Sequence, residues 1–274
     1  MAVVMGAEGQ MVGGALRPHS PLIDIEKIGK RYATRTGGSV VALEEVSFSI
    51  SEGEFVSIVG PSGCGKSTLL RLIGGLMSPT AGHIRYASLE KGRTVPRLGM
   101  VFQEAVLLPW RTVMENVCLP FEIAGRNKAD SRRRADELLN MVGLDGFGDR
   151  YPSELSGGMQ QRASIARALL TDPALLLMDE PFGALDALTR ENMTIELERI
   201  WAQTHKTVLF VTHSISEAVL LSDRVIAMSA RPARVQEIVE IDLPRPRTLE
   251  MANTPEFGAY VAHIRGLLSA TTDF

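Results

Sequence analysis

One nine-residue stretch dominates the sequence: Gly60-Pro61-Ser62-Gly63-Cys64-Gly65-Lys66-Ser67-Thr68. It fits the pattern G-x-x-x-x-G-K-[ST] of phosphate-binding loops without a mismatch. The apolar run Phe55–Val59 before it predicts a buried strand, and Leu69–Ile73 after it predicts the first turns of a helix. Strand, glycine-rich loop and helix are the context that such a loop requires, so these nine residues are predicted to bind a nucleotide.

The residue types in this loop suit a bound phosphate. Gly60, Gly63 and Gly65 let the backbone curl so that successive N–H groups face one point. The start of the following helix adds partial positive charge there. The Lys66 ammonium can reach the β- and γ-phosphates, and the Ser67 hydroxyl can ligate Mg²⁺. The alternative is a plain glycine turn between a core strand and a helix; the complete motif in its complete context favours the nucleotide site.

Composition narrows the function classes. The chain has 274 residues, 45% of them hydrophobic, which suits one large α/β domain or two small lobes. The net charge of −3 gives no sign of a nucleic-acid partner. Cys64 and Cys118 are too few for a disulfide framework or a metal cluster, and they favour a reducing cytosol. No apolar run approaches 18 residues, so any membrane role is expected to come through a partner.

Alternation of strands and helices predicts the fold class. Buried strands are predicted at Ala174–Met178, Thr207–Val211 and Arg224–Met228, with helices at 186–203 and 214–221. The continuous apolar character of these strands is typical of a parallel sheet covered on both faces. The prediction is therefore an α/β protein with a layered sheet and right-handed crossovers.

Four further segments complete the predicted organisation. Residues 1–21 are expected to be a disordered N-terminus, and residues 22–242 to form the domain that carries the phosphate-binding loop. Within that domain, residues 104–159 read as a mostly helical insert, while alternating apolar residues near Ile25 and Phe48 predict a more exposed β portion. Residues 243–274 are expected to be a tail with one amphipathic helix that packs on its own domain.

Two adjacent carboxylates follow one predicted strand. Asp179 and Glu180 end the run that begins at Ala174. In a protein with a phosphate-binding loop, the first acid at such a strand end holds Mg²⁺, and the second can polarise a water that attacks the γ-phosphate. An ordinary polar strand cap is the alternative, but the companion loop favours the catalytic interpretation.

The segment Leu155-Ser156-Gly157-Gly158-Met159-Gln160-Gln161-Arg162 resembles the signature motif of ATP-binding cassette (ABC) ATPases. Other matches to that family occur in its order, from about Leu22 to Arg234. The resemblance implies an α/β P-loop core with an antiparallel β portion and a helical subdomain. The matching positions are Tyr32, Gln103, the Ala184-Leu185-Asp186 loop and His213.

The resemblance assigns roles to these residues. Tyr32 would stack on adenine, and Gln103 would touch Mg²⁺ and the attacking water, so that Ser67, Gln103 and Asp179 form the expected metal set. Glu180 would be the general base and His213 the switch histidine. Asp186 would lie in the loop that crosses a dimer interface.

The signature also predicts a dimer. Ser156, Gly157 and Gly158 are expected to precede a helix, so that exposed N–H groups point outward. Because the phosphate loop already holds its own γ-phosphate, a second anion site is useful only against another subunit's nucleotide. The resemblance implies a head-to-tail pair that sandwiches two ATP molecules. The residues expected to act in this way are Leu155, Ser156, Gly157, Gly158 and Gln160.

A narrower similarity concerns bacterial importers. The run Phe102–Arg111, the segment Met228–Arg234 and the tail Leu243–Arg247 resemble the nitrate, sulfonate and taurine branch. That branch implies an ATPase at the cytoplasmic face of the membrane, driving a separate permease that receives solute from an extracytoplasmic binding protein. Leu107, Leu108 and Trp110 are candidate permease contacts, with a local core position as the alternative for Trp110.

Two other classes of protein fit the sequence less well. Soluble ABC ATPases of DNA repair carry long coiled-coil insertions, and translation members fuse two cassettes; neither feature occurs in this sequence. A regulatory nucleotide-binding module without turnover is disfavoured by the intact Glu180 and His213.

Overall fold

The computed structural model describes residues 21–34, 37–87 and 97–270, and all structural statements concern those residues. Two sheets and the helices around them make up this part of the chain. The strands are β1 (Pro21–Ala33), β2 (Ser39–Ser51), β3 (Phe55–Val59), β4 (Ala81–Tyr86), β5 (Leu98–Val101), β6 (Leu175–Asp179), β7 (Thr207–Val211), β8 (Arg224–Met228) and β9 (Val235–Glu240). The α-helices are α1 (Lys66–Ile73), α2 (Val113–Ile123), α3 (Lys128–Met141), α4 (Gly157–Leu169), α5 (Ala187–Thr204), α6 (Ile215–Leu221) and α7 (Pro255–Ser269), with short 3-10 helices at Pro152–Glu154 and Leu249–Asn253.

The larger sheet has the strand order β5-β6-β7-β3-β8-β9. Its first five strands are parallel, and β9 pairs antiparallel with β8. Every residue of β3 and β7 is buried, because helices cover both faces of the sheet. The predicted α/β class is confirmed. Parallel strands bring their carboxyl ends to one edge, so the segments that follow β3, β5, β6 and β7 meet there.

The smaller sheet is antiparallel, in the order β2-β1-β4. The alternation around Ile25 predicts a strand over residues 22–28, and β1 runs further. Irregular register near Lys27, whose φ is 47°, interrupts the alternation without ending the strand. Pro21, which the sequence placed in the N-terminal tail, begins β1. The rest of that predicted tail lies outside the described residues.

Helices α2, α3 and α4 follow β5 and share an apolar cluster with the main sheet. Val117 and Leu138 of the helices belong to the same buried cluster as Val101 and Phe210 of the strands. Helix α2 begins with a capping box, in which the Thr112 hydroxyl accepts from the Glu115 N–H. The position of α2–α4 is therefore tied directly to the sheet edge.

The C-terminal segment packs on the same core. Phe257 and Ile264 of α7 are buried against α6 and β8 in a third apolar cluster. The Arg247 guanidinium donates to the carbonyls of Val219, Leu220, Ser222, Ile241 and Leu243. Burial lowers the pKa of Arg247 to about 10. Among the described residues, no helix is long and apolar enough to cross a membrane.

Two features were not predicted. Strand β9 was not predicted because its sequence lacks the apolar alternation of a half-buried strand. Only one of its side chains, Val239, is buried. Helix α4 begins at Gly157, so Gly157 and Gly158 form its first turn and do not precede it; only Ser156 lies before the helix, as its N-cap.

Candidate nucleotide-binding and catalytic site

The phosphate loop leaves the buried end of β3 and enters α1. Gly63 and Gly65 have φ values of 70° and 131°, a region that side chains with a Cβ rarely occupy. A Cβ at Gly65 would also lie 3.0 Å from the Leu43 side chain. Glycine is thus required at this turn for both backbone conformation and space.

Lys66 occupies the centre of this loop, with only 4% of its surface exposed. Its Nζ donates to the carbonyls of Gly60 (2.9 Å) and Pro61 (3.1 Å), and lies 4.0 Å from Glu180 Oε1. A nearly buried ammonium in such a loop is a strong point charge for phosphate oxygens.

Cys64 contributes differently from its neighbours. Its side chain is buried in the core cluster of β1, β2 and α1, and burial raises the pKa of its thiol. Its thiol packs beneath the loop, where a Cβ on Gly60 would lie 3.1 Å from the Cys64 sulfur.

Ser67 and Asp179 bring two oxygen atoms together beside the loop. The Ser67 hydroxyl donates to Asp179 Oδ1 at 2.8 Å, joining the start of α1 to the end of β6. Burial raises the pKa of the Asp179 carboxyl, while the Ser67 hydrogen bond lowers it. A hydroxyl and a single carboxylate beside a phosphate loop are the ligands that Mg²⁺ takes together with substrate phosphates, so this pair fits the metal.

Glu180 has a left-handed backbone, with φ 48°. Strand β6 ends at Asp179, so Glu180 is the first residue of the turn that follows, and its backbone departs from the regular strand conformation. Its N–H donates to the Val211 carbonyl at 2.8 Å, and its Oε2 lies 3.0 Å from His213 Nδ1. His213, which follows β7, and Glu180 are thus brought together as a hydrogen-bonded pair.

Tyr32 lies on β1, and 38% of its surface is exposed. Its hydroxyl is 3.3 Å from the Thr68 hydroxyl and donates to Met77 Sδ at 3.6 Å. The Lys30 ammonium lies 5.5 Å from the ring centroid. An accessible ring attached to the end of the phosphate loop can stack on a base.

Gln103 follows β5, the neighbour of β6 in the sheet. A Cβ on Gly183 would lie 2.9 Å from Gln103 Nε2, so Gly183 allows the side chain to pass close over the turn after Glu180. Helix α4 holds this segment in place. Gln161 donates to the Phe102 carbonyl at 2.9 Å, and Arg167 donates to the carbonyls of Ala105 (2.8 Å) and Val106 (2.7 Å).

The signature segment divides into outward and inward residues. Ser156 and Gly157 are exposed, and the Ser156 hydroxyl accepts from the Met159 N–H at 3.3 Å. Leu155 is buried, and Gln160 donates to the carbonyls of Pro152 (2.9 Å) and Leu155 (3.3 Å). These contacts show that Leu155 and Gln160 shape the turn, while Ser156 and Gly157 are the exposed residues at the start of α4.

Gly158 and Asp186 bring the signature helix close to the next interface element. A Cβ on Gly158 would lie 2.9 Å from Thr189 Cγ2 on α5. Asp186 is exposed and is the N-cap of α5, where its Oδ1 accepts from the Thr189 N–H at 3.0 Å. Hydrogen bonds from Thr189 lower the pKa of Asp186, which keeps this cap charged.

Three polar residues near the site were missed by the sequence analysis. Arg231 Nη2 donates to the Gly63 carbonyl at 2.5 Å, Arg190 donates to the turn after Glu180, and Glu217 accepts from Thr212. Arg231 lay within a segment already noted for its similarity to importers, but nothing in that pattern indicated a contact with the loop. The spacing Ser214-x-x-Glu217 does signal a helix start, and Ser214 indeed caps α6.

Comparisons with known proteins identify the family. The sequence profile of the ABC transporter family matches residues 43–183. The chain is 45% identical to a taurine import ATP-binding protein of Rhizobium johnstonii, covering 92% of this chain and 98% of that protein. It is 44% identical to an aliphatic sulfonates import ATP-binding protein of Bacillus cereus, covering 82% and 88%. A nitrate import ATP-binding protein of Synechococcus elongatus is 45% identical over 87% of this chain and 37% of its own length.

Among solved structures, the chain is similar to a dimeric ATP-binding cassette in a post-hydrolysis state bound to ADP and Pi. The TM-score is 0.69 at 35% identity, covering 81% of this chain and 100% of that one. That likeness, the profile match and the paired motifs at one sheet edge lead to the same assignment. The chain belongs to the ABC transporter family, as an ATP-binding subunit with ATPase activity.

Proposed function

We propose that this chain is the ATPase subunit of an importer for a small solute of the nitrate, sulfonate or taurine kind. The observation that carries the proposal is the convergence of two pairs beside one phosphate loop, Ser67 with Asp179 and Glu180 with His213. The import relatives named above supply the transport direction and the class of solute.

The proposed chemistry is an in-line attack of water on the γ-phosphate of ATP. The loop amides and Lys66 bind and orient the phosphates. Ser67, Asp179 and Gln103 would hold Mg²⁺, which would supply positive charge to offset that of the phosphates. Glu180 supplies the carboxylate that accepts a proton from the attacking water. His213 holds that carboxylate in position.

A second copy of the chain would complete each site. Ser156 and Gly157 expose the amino end of α4, and Leu188 beside the Asp186 loop is 73% exposed. An exposed helix start binds anions through its free N–H groups. We therefore assign the start of α4 to the γ-phosphate held by the partner copy in a head-to-tail dimer.

The permease contact is assigned to the segment after Gln103. Trp110 is 71% exposed, so the local core position considered for it is wrong, whereas Leu107 packs against the main apolar cluster. Trp110 borders a groove of roughly 660 Å³, which is lined by Met114 and Cys118 and by charged side chains such as Arg126 and Glu122. An exposed tryptophan beside a groove is a favoured anchor for a partner helix.

In this arrangement the subunit works at the cytoplasmic face of a bacterial membrane, attached through the permease. A solute-binding protein on the other side would deliver the solute. In this proposal the permease and the solute-binding protein select the solute, and no residue of this chain contacts it.

The test is solute uptake in cells that carry Glu180→Gln at this gene, with wild-type cells as the control. A labelled panel of nitrate, taurine and an alkanesulfonate covers that importer branch. We expect uptake of one class to be lost while the others stay unchanged. The opposite result has two parts: uptake of the whole panel stays unchanged in the variant cells, and the purified wild-type protein still hydrolyses ATP. Together these would support a soluble ABC ATPase.

A further inference from the structure

Two buried or partly buried side chains lie between the Asp186 loop and His213. Arg190 is in the first turns of α5, and Glu217 is in the first turn of α6, where only 8% of its surface is exposed. Neither residue contacts the phosphate loop through any bond among the described residues. Arg190 contacts the turn that follows Glu180, and Glu217 contacts the segment around His213.

Arg190 holds the turn that follows Glu180. Its Nε donates to the Phe182 carbonyl at 3.3 Å, and its Nη2 donates to the Leu185 carbonyl at 3.0 Å. These carbonyls lie near the two ends of the turn between Glu180 and Asp186. Because one planar guanidinium binds both carbonyls, a movement of either end of the turn also moves Arg190 and the other end.

Glu217 holds the segment on either side of His213. Its Oε2 accepts from the Thr212 hydroxyl at 2.5 Å, and the same hydroxyl oxygen accepts from the Ser214 N–H at 3.0 Å. The Glu217 N–H donates to the Ser214 hydroxyl at 3.3 Å. His213 is therefore fixed between two neighbours that are both bound to one acidic residue.

The two halves meet as an ion pair. Arg190 Nε lies 3.8 Å from Glu217 Oε1, and the Arg190 side chain is 31% exposed. Burial raises the pKa of the Glu217 carboxyl, while Thr212, Arg190 and His213 oppose that rise. One carboxyl group therefore contacts both halves, through the hydrogen bond from Thr212 and the ion pair with Arg190.

We propose that Arg190 and Glu217 are positioning residues that couple the Asp186 loop to the His213–Glu180 pair. A displacement of the loop at the dimer interface then reaches His213 through the Arg190–Glu217 ion pair and Thr212. The proposal rests on the proposed catalytic roles of Glu180 and His213. In this proposal, Glu180 is placed correctly for catalysis only when the two copies have formed the dimer.

The test compares Arg190→Met, Glu217→Gln and the double variant by steady-state ATP hydrolysis and thermal unfolding. Gln at 217 keeps an acceptor for Thr212 but removes the charge that faces Arg190. We expect kcat to fall about tenfold in each single variant, the size of a lost charge-assisted hydrogen bond, with KM for ATP within about twofold. The double variant should lose little more than the worse single variant, because the pair acts as a unit.

Two further variants keep the interpretation unambiguous. Arg190→Lys keeps the charge but loses the two-carbonyl contact, so it should recover part of kcat. Glu137→Gln removes an exposed partner of Arg134 on α3 and should leave both kcat and stability unchanged. Additive losses in the double variant, or a rise in KM that matches the fall in kcat, would overturn the coupling.

His213→Ala separates this inference from the proposed function. If His213→Ala hydrolyses ATP at the wild-type rate, the catalytic roles themselves are wrong, and the coupling is wrong with them. If His213→Ala loses turnover while Glu217→Gln and Arg190→Met keep it, the catalytic roles stand and only the coupling is overturned.

Discussion

At the scale of single residues, the site is defined by a few side chains held in unusual places. Lys66 is an almost buried cation, Glu180 has a left-handed backbone, and Asp179 shares a hydrogen with Ser67. A left-handed conformation in a residue other than glycine costs about 1 kcal/mol or more and persists only where its surroundings enforce it. Here it occurs where two adjacent carboxylates take different partners, Ser67 for Asp179 and His213 for Glu180.

Lys66→Ala should weaken ATP binding directly. The loss of charge-assisted hydrogen bonds worth about 1.5–3 kcal/mol predicts a Kd that rises by about 10- to 150-fold. Equilibrium titration with a fluorescent ATP analogue measures this change. Lys206→Ala is the matched control, since its ammonium pairs with Asp172 at 2.7 Å and contacts no residue of the site. An unchanged Kd for Lys66→Ala would contradict the phosphate-loop assignment.

Residue identities in the site could be predicted from the sequence because the motifs are local. Each phosphate-loop residue is a near neighbour of the next, so one pattern carries the whole loop. The Arg190–Glu217 ion pair could not be predicted in this way. Its members lie on different helices, and only packing of α5 against α6 reveals that they meet.

At the scale of elements, strand predictions succeeded where burial is uniform. The predicted bounds of β3, β7 and β8 agree residue for residue, since continuous apolar runs have clear ends. Strand β9 was missed because it is an edge strand with little burial, and β1 was shortened because register irregularities interrupt its alternation. These failures have one cause, which is that periodicity reports burial and not backbone pairing.

The contact between α4 and α5 makes a prediction at this scale. Gly158→Ala places a methyl group 2.9 Å from Thr189 Cγ2, whose β-branched side chain cannot turn away easily. We expect the free energy of unfolding to fall by about 1–3 kcal/mol, the cost of overpacking. Chemical denaturation measures it.

Gly157→Ala is the matched control for that experiment. Its methyl group would lie 3.4 Å from Leu185 Cδ2, an ordinary contact, and alanine favours the helix by up to about 1 kcal/mol. This variant should therefore be as stable as the wild type or more so. Equal stability of the two variants would show that α4 and α5 are not packed as closely as described.

At the scale of the whole molecule, the sheet edge joins surfaces that face different partners. Helix α4 carries the exposed signature amides at its start, and Gln161 and Arg167 further along it hold the segment after Gln103. In the proposed assembly, one rigid helix therefore connects the dimer interface with the surface that includes Trp110. This connection follows from hydrogen bonds between distant segments, which the sequence alone did not indicate.

Trp110→Ala should uncouple transport from hydrolysis. Loss of an anchor of this kind costs about 2 kcal/mol or more, so uptake by the assembled transporter should fall roughly tenfold or more. ATP hydrolysis by the isolated subunit should not change, because Trp110 takes part in none of the hydrogen bonds or ion pairs described for Glu180 and His213. Trp110→Phe keeps an aromatic surface and should be intermediate. Normal uptake with Trp110→Ala would remove this residue from the permease contact.

The most direct test of the central claim is ATP turnover and self-association of purified Glu180→Gln. Removal of the general base should lower kcat by about 10²- to 10⁴-fold, while the phosphate loop still binds ATP. Because the bound nucleotide then persists, sedimentation in Mg-ATP should show a stable dimer, and wild-type protein should remain largely monomeric after hydrolysis. Near-normal hydrolysis by Glu180→Gln, or a variant that binds ATP without any dimer, would contradict the account.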